Sequence, residues 1–268
     1  MQLNNYLFYA LRRILQDEQK PLNFRFDFIF DRCRAIRQEI VVQNFSCTET
    51  LTILEPIVLF MSYSLYRMSN LPISHFDSKI CKQHLQECSL KCLTCYDELE
   101  MHGGSQNKAY NMQNRQIIES IYMMQNVNQA GTLERAMKFD INLRASFMIK
   151  SSIGILISFH QREFYKLLHD IPKLPHPIVC AIASLQLCEI RKEVLRVFSI
   201  AYNSQSLKVP LAFLQRLLVY DDPITLHAHL RENLGIHDDD DDATPTSDDA
   251  AIRFDRKKFD SKKSLVSV

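Results

Sequence analysis

Residues 81 to 95, CKQHLQECSLKCLTC, place four cysteines and a histidine within fifteen positions. Thiolate and imidazole are zinc ligands, so Cys88, Cys92 and Cys95 beside His84 raise the question of a metal site. Helical spacing argues against it. At ~100° per residue, Cys81, Leu85, Cys88, Cys92, Cys95 and Leu99 share one face, and the axis rises ~10 Å from Cys88 to Cys95. Bonds of ~2.3 Å cannot cover that rise around one ion unless the helix breaks. The stretch has no glycine for a knuckle, and cysteine buries as a small hydrophobe. Core packing without a metal or cofactor is the expectation.

A second constellation is FDFIFDRCRAIRQEIVVQNF, residues 26–45, which holds three arginines. Projected on a helix, Phe26, Ile29, Phe30, Cys33, Ile36 and Ile40 form an apolar stripe, with Asp27, Asp31, Arg34 and Gln38 opposite. Asp31 and Arg34 are three apart and can pair. Arg32 marks a flank, while Arg37 falls on the apolar side with no acid one turn away. A permanent cation there must keep water or find a carboxylate. The expected partner is Glu55, in TILEPIV on the next helix. The other reading is a partner-binding arginine, since arginine is common at interface hot spots.

No nucleophile elbow, Walker loop or H-E-x-x-H occurs. His227 and His229 are two apart, on different sides of a helix, and His160, His169 and His176 lie near helix ends, where capping or surface roles are usual. These patterns point away from an enzyme. Arg253, Arg256, Lys257 and Lys258 in the basic tail could touch RNA without sequence preference, or could simply neutralise the aspartates of HDDDDDATPTSDD. Five consecutive aspartates close behind Arg231 and Asn233 would repel phosphate from that helix.

The elements that must position these groups read as helices. Five glycines in 268 residues disfavour tight-turned sheets and phosphate loops, and 46% hydrophobic residues can build a core. The net charge of +1 supplies no field toward nucleic acid or membrane. Eight cysteines inside helical patterns, with no secretory signal, indicate a reduced intracellular protein. No apolar run is long enough to span a bilayer, Lys150 interrupting the best candidate. An amphipathic period is already running at Leu3, Tyr6, Leu7 and Ala10, so sequence upstream of Met1 is expected.

Helices are expected over 24–44 with Asn23 as cap, 48–68 with a kink at Pro56, and 78–102. Further ones are expected over 108–127, 132–138, 141–159 and 161–170, then one long helix from Pro177 to Tyr202. The fold class is an all-α helical array over residues 1–205. A small winged helix with a short β-hairpin follows over 206–260, built from a helix at 209–220 and another opened by Asp222-Pro223. Its acidic wing loop is 237–249, and 261–268 are expected to form a disordered tail.

The segments FDFIFDRCRAIRQEIVVQ, FDSKICKQHLQECSLKCLTCYDEL, CEIRKEVLRVFSIAYNS and VPLAFLQRLLVYDD resemble the Sac-three/GANP family and together span nearly the whole chain. The resemblance implies a PCI-like, right-handed helical repeat ending in a winged helix, which binds partners and has no catalytic centre. Large members scaffold the TREX-2 complex of mRNA export, beside a second PCI-type protein and a small acidic subunit, with a weak contact to RNA. A short member is associated with centrosomes and spindles, and the wording RAIRQEIVVQ and VPLAFLQRLL is closer to it. The nuclear-pore-binding repeats, acetyltransferase-like region and proline-rich approach of large members are not in this sequence. The resemblance therefore implies a scaffold of cell division at centrosome or spindle, or of mRNA export at the nuclear pore.

Overall fold

Scarce glycine and a nearly unbroken helical period leave little but helices and short links. A computed structural model describes residues 12–17, 19–102, 110–204, 206–234 and 251–254. The described elements are α1 (Leu22–Val42), α2 (Cys47–Arg67), α3 (Ser78–His102), α4 (Met112–Gln125), α5 (Ala130–Met137), α6 (Ile141–Ala145) and α7 (Phe147–His160). Then come α8 (Phe164–Asp170), a 3₁₀ turn (Ile171–Lys173), α9 (Pro177–Ser184), α10 (Leu187–Ala201), β1 (Val209–Pro210), α11 (Leu211–Leu218), α12 (Pro223–Leu234) and β2 (Ala251–Ile252). None of the described helices is long and apolar enough to cross a membrane.

Local chemistry sets most boundaries. Ser46 and Glu49 form a reciprocal capping box, so α2 begins one residue before Thr48. Asn111 caps α4, whereas Asn23 lies inside α1, which starts behind Pro21 with no side-chain cap. The helix expected over 141–159 is two helices, because Ser146 adopts an extended conformation and its hydroxyl accepts from the Ile149 amide to start α7. The long helix expected from 177 to 202 also divides. The Gln186 amide bonds to the Ala183 carbonyl three residues back, tightening the turn before a new ladder begins. Likewise, 209–220 is not all helix: Val209 and Pro210 form β1, and Val219 ends α11 in a left-handed conformation at φ 55°.

The described residues fall into two compact units, one within Met1–Ile153 and Pro175–Ile182, the other within Gly154–Leu174 and Ala183–Val268. The second is larger than the 206–260 module read from sequence, because α8 packs on both α10 and α11.

In the first unit α1 buries Phe26, Ile29, Cys33, Ile36 and Ile40. Phe26 stacks on Phe60 of α2 with ring centroids 5.8 Å apart and meets Phe76 edge-on. The cysteine face of α3 is buried: Cys81, Leu85, Cys88, Cys92 and Cys95 are at most 1% exposed. In the second unit β1 pairs antiparallel with β2, Val209 opposite Ile252 and Pro210 opposite Ala251. Buried Phe254 follows β2 and lies 5.6 Å from Phe198 of α10.

Candidate functional site

The cysteines can be placed first. Burial pushes the Cys33 and Cys81 thiols up to about 12 and Cys88 to about 11, with Cys92 also raised, so these groups stay protonated and pack as hydrophobes. Among the described residues no three histidine, cysteine, aspartate or glutamate side chains form a metal-holding group.

Arg37 and Glu55, expected to pair, are separated by the packing. Arg37 reaches past α2 to α3, donating through Nη2 to Glu87 and through Nη1 to His84 Nδ1 at 2.6 Å. The sequence reading placed its acid on the neighbouring helix in chain order, whereas α1 presents Arg37 to the helix after next. Burial and then the charge of Arg37 hold His84 below the ordinary histidine range, as an imidazole accepting that hydrogen bond must be neutral. Burial pushes Glu87 up, but hydrogen bonds from Gln83 and Arg37 outweigh it and leave its carboxyl below the usual range. Arg34 stands 3.9 Å from Asp31 on the solvent side. Arg34, Arg37 and Lys91 edge a groove of about 590 Å³ whose apolar part includes Ile40, Val41, Val42 and Leu54.

Glu55 sits elsewhere, in a groove of about 490 Å³ between α2 and α4. Its Oε1 accepts from the Tyr96 hydroxyl and its Oε2 from Asn114 Nδ2, each at 2.6 Å. Burial and the bond to Glu55 push the Tyr96 phenol far up, so it remains a donor. Leu51, Pro56, Leu59, Ile117 and Ile118 supply apolar walls, and Tyr110 closes one side. Pro56 stands inside α2 and has no amide hydrogen, which deprives the Thr52 carbonyl of its usual i+4 donor within the same groove.

A third cluster escaped the sequence reading. Arg115 is 2% exposed and lies 3.0 Å from Glu100, 3.5 Å from Asp97 and 3.8 Å from Glu119. Arg135 makes a two-pronged bond to Asp97 at 2.8 and 3.0 Å and another to Glu119 at 2.9 and 3.2 Å. Glu119 is fully buried; burial raises its carboxyl above the usual range, with Arg135 and Arg115 pulling the other way. Tyr96 and Tyr110 present their rings to the Arg115 guanidinium at 5.6 and 5.4 Å. Arg115 and Glu119 are four apart on α4, a spacing visible in the sequence, but their common burial is not.

In the second unit Arg191 donates to the carbonyls of Leu218 and Val219 at 2.9 and 2.5 Å, tying off the end of α11, and stacks on Tyr220 at 4.0 Å. Tyr220 in turn bonds His229 at 2.6 Å within the core. Arg253 is exposed beside β2, while Arg256, Lys257, Lys258 and the wing loop 237–249 lie outside the described residues.

What these sites offer is recognition: grooves with apolar walls and fixed charges. A model of the SAC3/GANP family matches residues 2–237. Protein xmas of Drosophila melanogaster is 31% identical over 88 residues, which make up 33% of this chain and 4% of that protein. The chain thus aligns with only a small part of that relative's length.

Proposed function

The chain belongs to the SAC3/GANP family, and from that premise we propose that it is a protein-binding scaffold in an mRNA-export assembly of the TREX-2 kind. The observation that carries this reading is the family match, which extends over residues 2–237 and so reaches into both compact units. SAC3/GANP proteins are a non-catalytic scaffold family. The grooves of the first unit support the same reading, since apolar walls edged by fixed charges suit docked segments of other proteins.

We assign residues 206–260 to a winged helix following a PCI-like repeat. The order β1–α11–α12–β2 supports this, with Val209 and Ile252 paired so that the chain returns beside the start of its two short helices. The family suggests a nuclear or nuclear-pore setting and partners that are proteins, and we propose a second PCI-type protein and a small acidic subunit as those partners. A centrosome or spindle role is the other setting for the same scaffold chemistry. RNA contact through Arg253 and the following basic residues is the reading from a different class.

Affinity purification of the full chain from cells tests the proposal. Recovery of a PCI-type protein with a small acidic subunit is the expected result, and recovery of centrosomal proteins in their place moves the scaffold to cell division. Recovering neither rejects the scaffold reading. An RNA adaptor would instead show affinity that falls steeply with salt and is lost on neutralising Arg256, Lys257 and Lys258.

A further inference from the structure

We propose that the Glu55 groove between α2 and α4 is a docking site for a partner segment presenting an arginine among apolar side chains. This deepens the scaffold reading and rests on it. Charge is the first argument. The only described partners of the Glu55 carboxylate are the Tyr96 hydroxyl and the Asn114 amide, both neutral donors. They orient both oxygens and leave the negative charge uncompensated. Among the described residues lining the groove there is no lysine, arginine or histidine. Arg37, the cation the sequence offered to Glu55, is held on Glu87 and His84.

Geometry narrows the ligand. The Thr52 carbonyl, which Pro56 deprives of its helical donor, is a second acceptor one turn before Glu55. A carboxylate with lone pairs to spare and an unpaired carbonyl on the same helix call for a group with several N–H bonds in one plane, which is the guanidinium fork. An ammonium offers one point of charge and would serve a single acceptor best. The walls of Leu51, Leu59, Ile117 and Ile118 give the methylene stem and flanking apolar residues a surface to cover. A polyanion such as RNA has the wrong sign for this groove.

The test titrates the full chain with three labelled helical peptides sharing one apolar frame, with arginine, glutamine or glutamate at the centre. The arginine peptide is expected to bind at least about tenfold more tightly than the glutamine peptide, and the glutamate peptide least. Glu55→Gln removes the charge and is expected to erase the preference. Should that variant unfold, Thr52→Lys stands in: it changes an exposed position and places an ammonium three residues before the carboxylate. Its melting should be unchanged and its arginine preference lost.

Equal binding of the three peptides, or a preference that survives Thr52→Lys, overturns the proposal. So does self-association of the wild-type chain in sedimentation velocity that Thr52→Lys abolishes, which would make a second copy the occupant. Failure here and failure of the scaffold reading are separable. If wild type and Thr52→Lys recover the same partners from cells, the groove is rejected and the scaffold stands. If neither recovers partners while the peptide preference holds, the docking site stands and the scaffold reading falls.

Discussion

Two carboxylates on different helices of the first unit, Glu119 on α4 and Glu55 on α2, meet opposite fates. Glu119 is enclosed by Arg115 and Arg135, which also hold Asp97 and Glu100, so its charge is answered inside the fold. Glu55 is held as firmly in geometry, but by a phenol and an amide that leave its charge unanswered at the edge of a groove. A closed ion cluster can do little but specify how helices pack. An open one can still recognise something. Tyr96 touches both, donating to Glu55 while its ring faces Arg115, so one side chain divides the structural cluster from the recognition groove.

Arg115→Met should have the largest effect on this contrast. It leaves Glu119, Asp97 and Glu100 with one cation in place of two, and breaking such a buried pair costs about 3–5 kcal/mol. The urea midpoint of the purified chain measures it, and a loss below about 1 kcal/mol would mean the cluster is better hydrated than its burial implies.

Tyr96→Phe comes next and cuts at the junction. Losing one hydrogen bond to a carboxylate should cost about 1.5–3 kcal/mol in the same titration, and the arginine peptide should bind with a changed affinity because Glu55 is no longer oriented. A variant as stable as wild type would show that the phenol–carboxylate bond is incidental.

Arg37→Gln is smaller again. Glu87 is 44% exposed and Arg37 21%, so the pair is screened by water and its loss should cost about 1 kcal/mol or less. It should leave the arginine-peptide preference of the Glu55 groove intact, which separates the two sites that the sequence had joined.

The smallest effect is one of pH. His84 and Glu87 both titrate lower in the fold than in the open chain, so each favours the folded state above its ordinary range and loses that contribution as the pH falls. Melting temperature should therefore decline first as pH drops below the histidine range of about 6.5, then again below the carboxylate range of about 4.3. His84→Gln should shrink the first decline, leaving the share of His176, which burial also holds below the histidine range, and keep the second; an undiminished first decline removes His84 from the account.

Much of the architecture was legible because helical period and capping chemistry act within one or two turns. The apolar stripe of α1 and the cysteine face of α3 could be projected from spacing alone, and burial of Cys81, Cys88, Cys92 and Cys95 follows from that projection. Boundaries failed where a single local bond decided them, as at Ser146 and at the Gln186 amide. The Ser46 and Glu49 box is legible in the sequence as S-x-x-E and starts α2 one residue before the expected Thr48.

The pairing of charges was not legible in the same way. Arg37 needed a partner, and the sequence could say so, because an arginine on an apolar stripe cannot shed its charge. Which acid would answer depended on how α1, α2 and α3 face one another, and Glu55 and Glu87 were equally available to a reader of spacing. Packing gave Arg37 to Glu87 and turned Glu55 toward Tyr96 and Asn114. The sequence by itself determined the helices, their buried stripes and the residues that would need partners, since those are set by neighbours along one helix. Only the tertiary structure decided which charges are closed and which stay open, because that choice is made between helices distant in the chain.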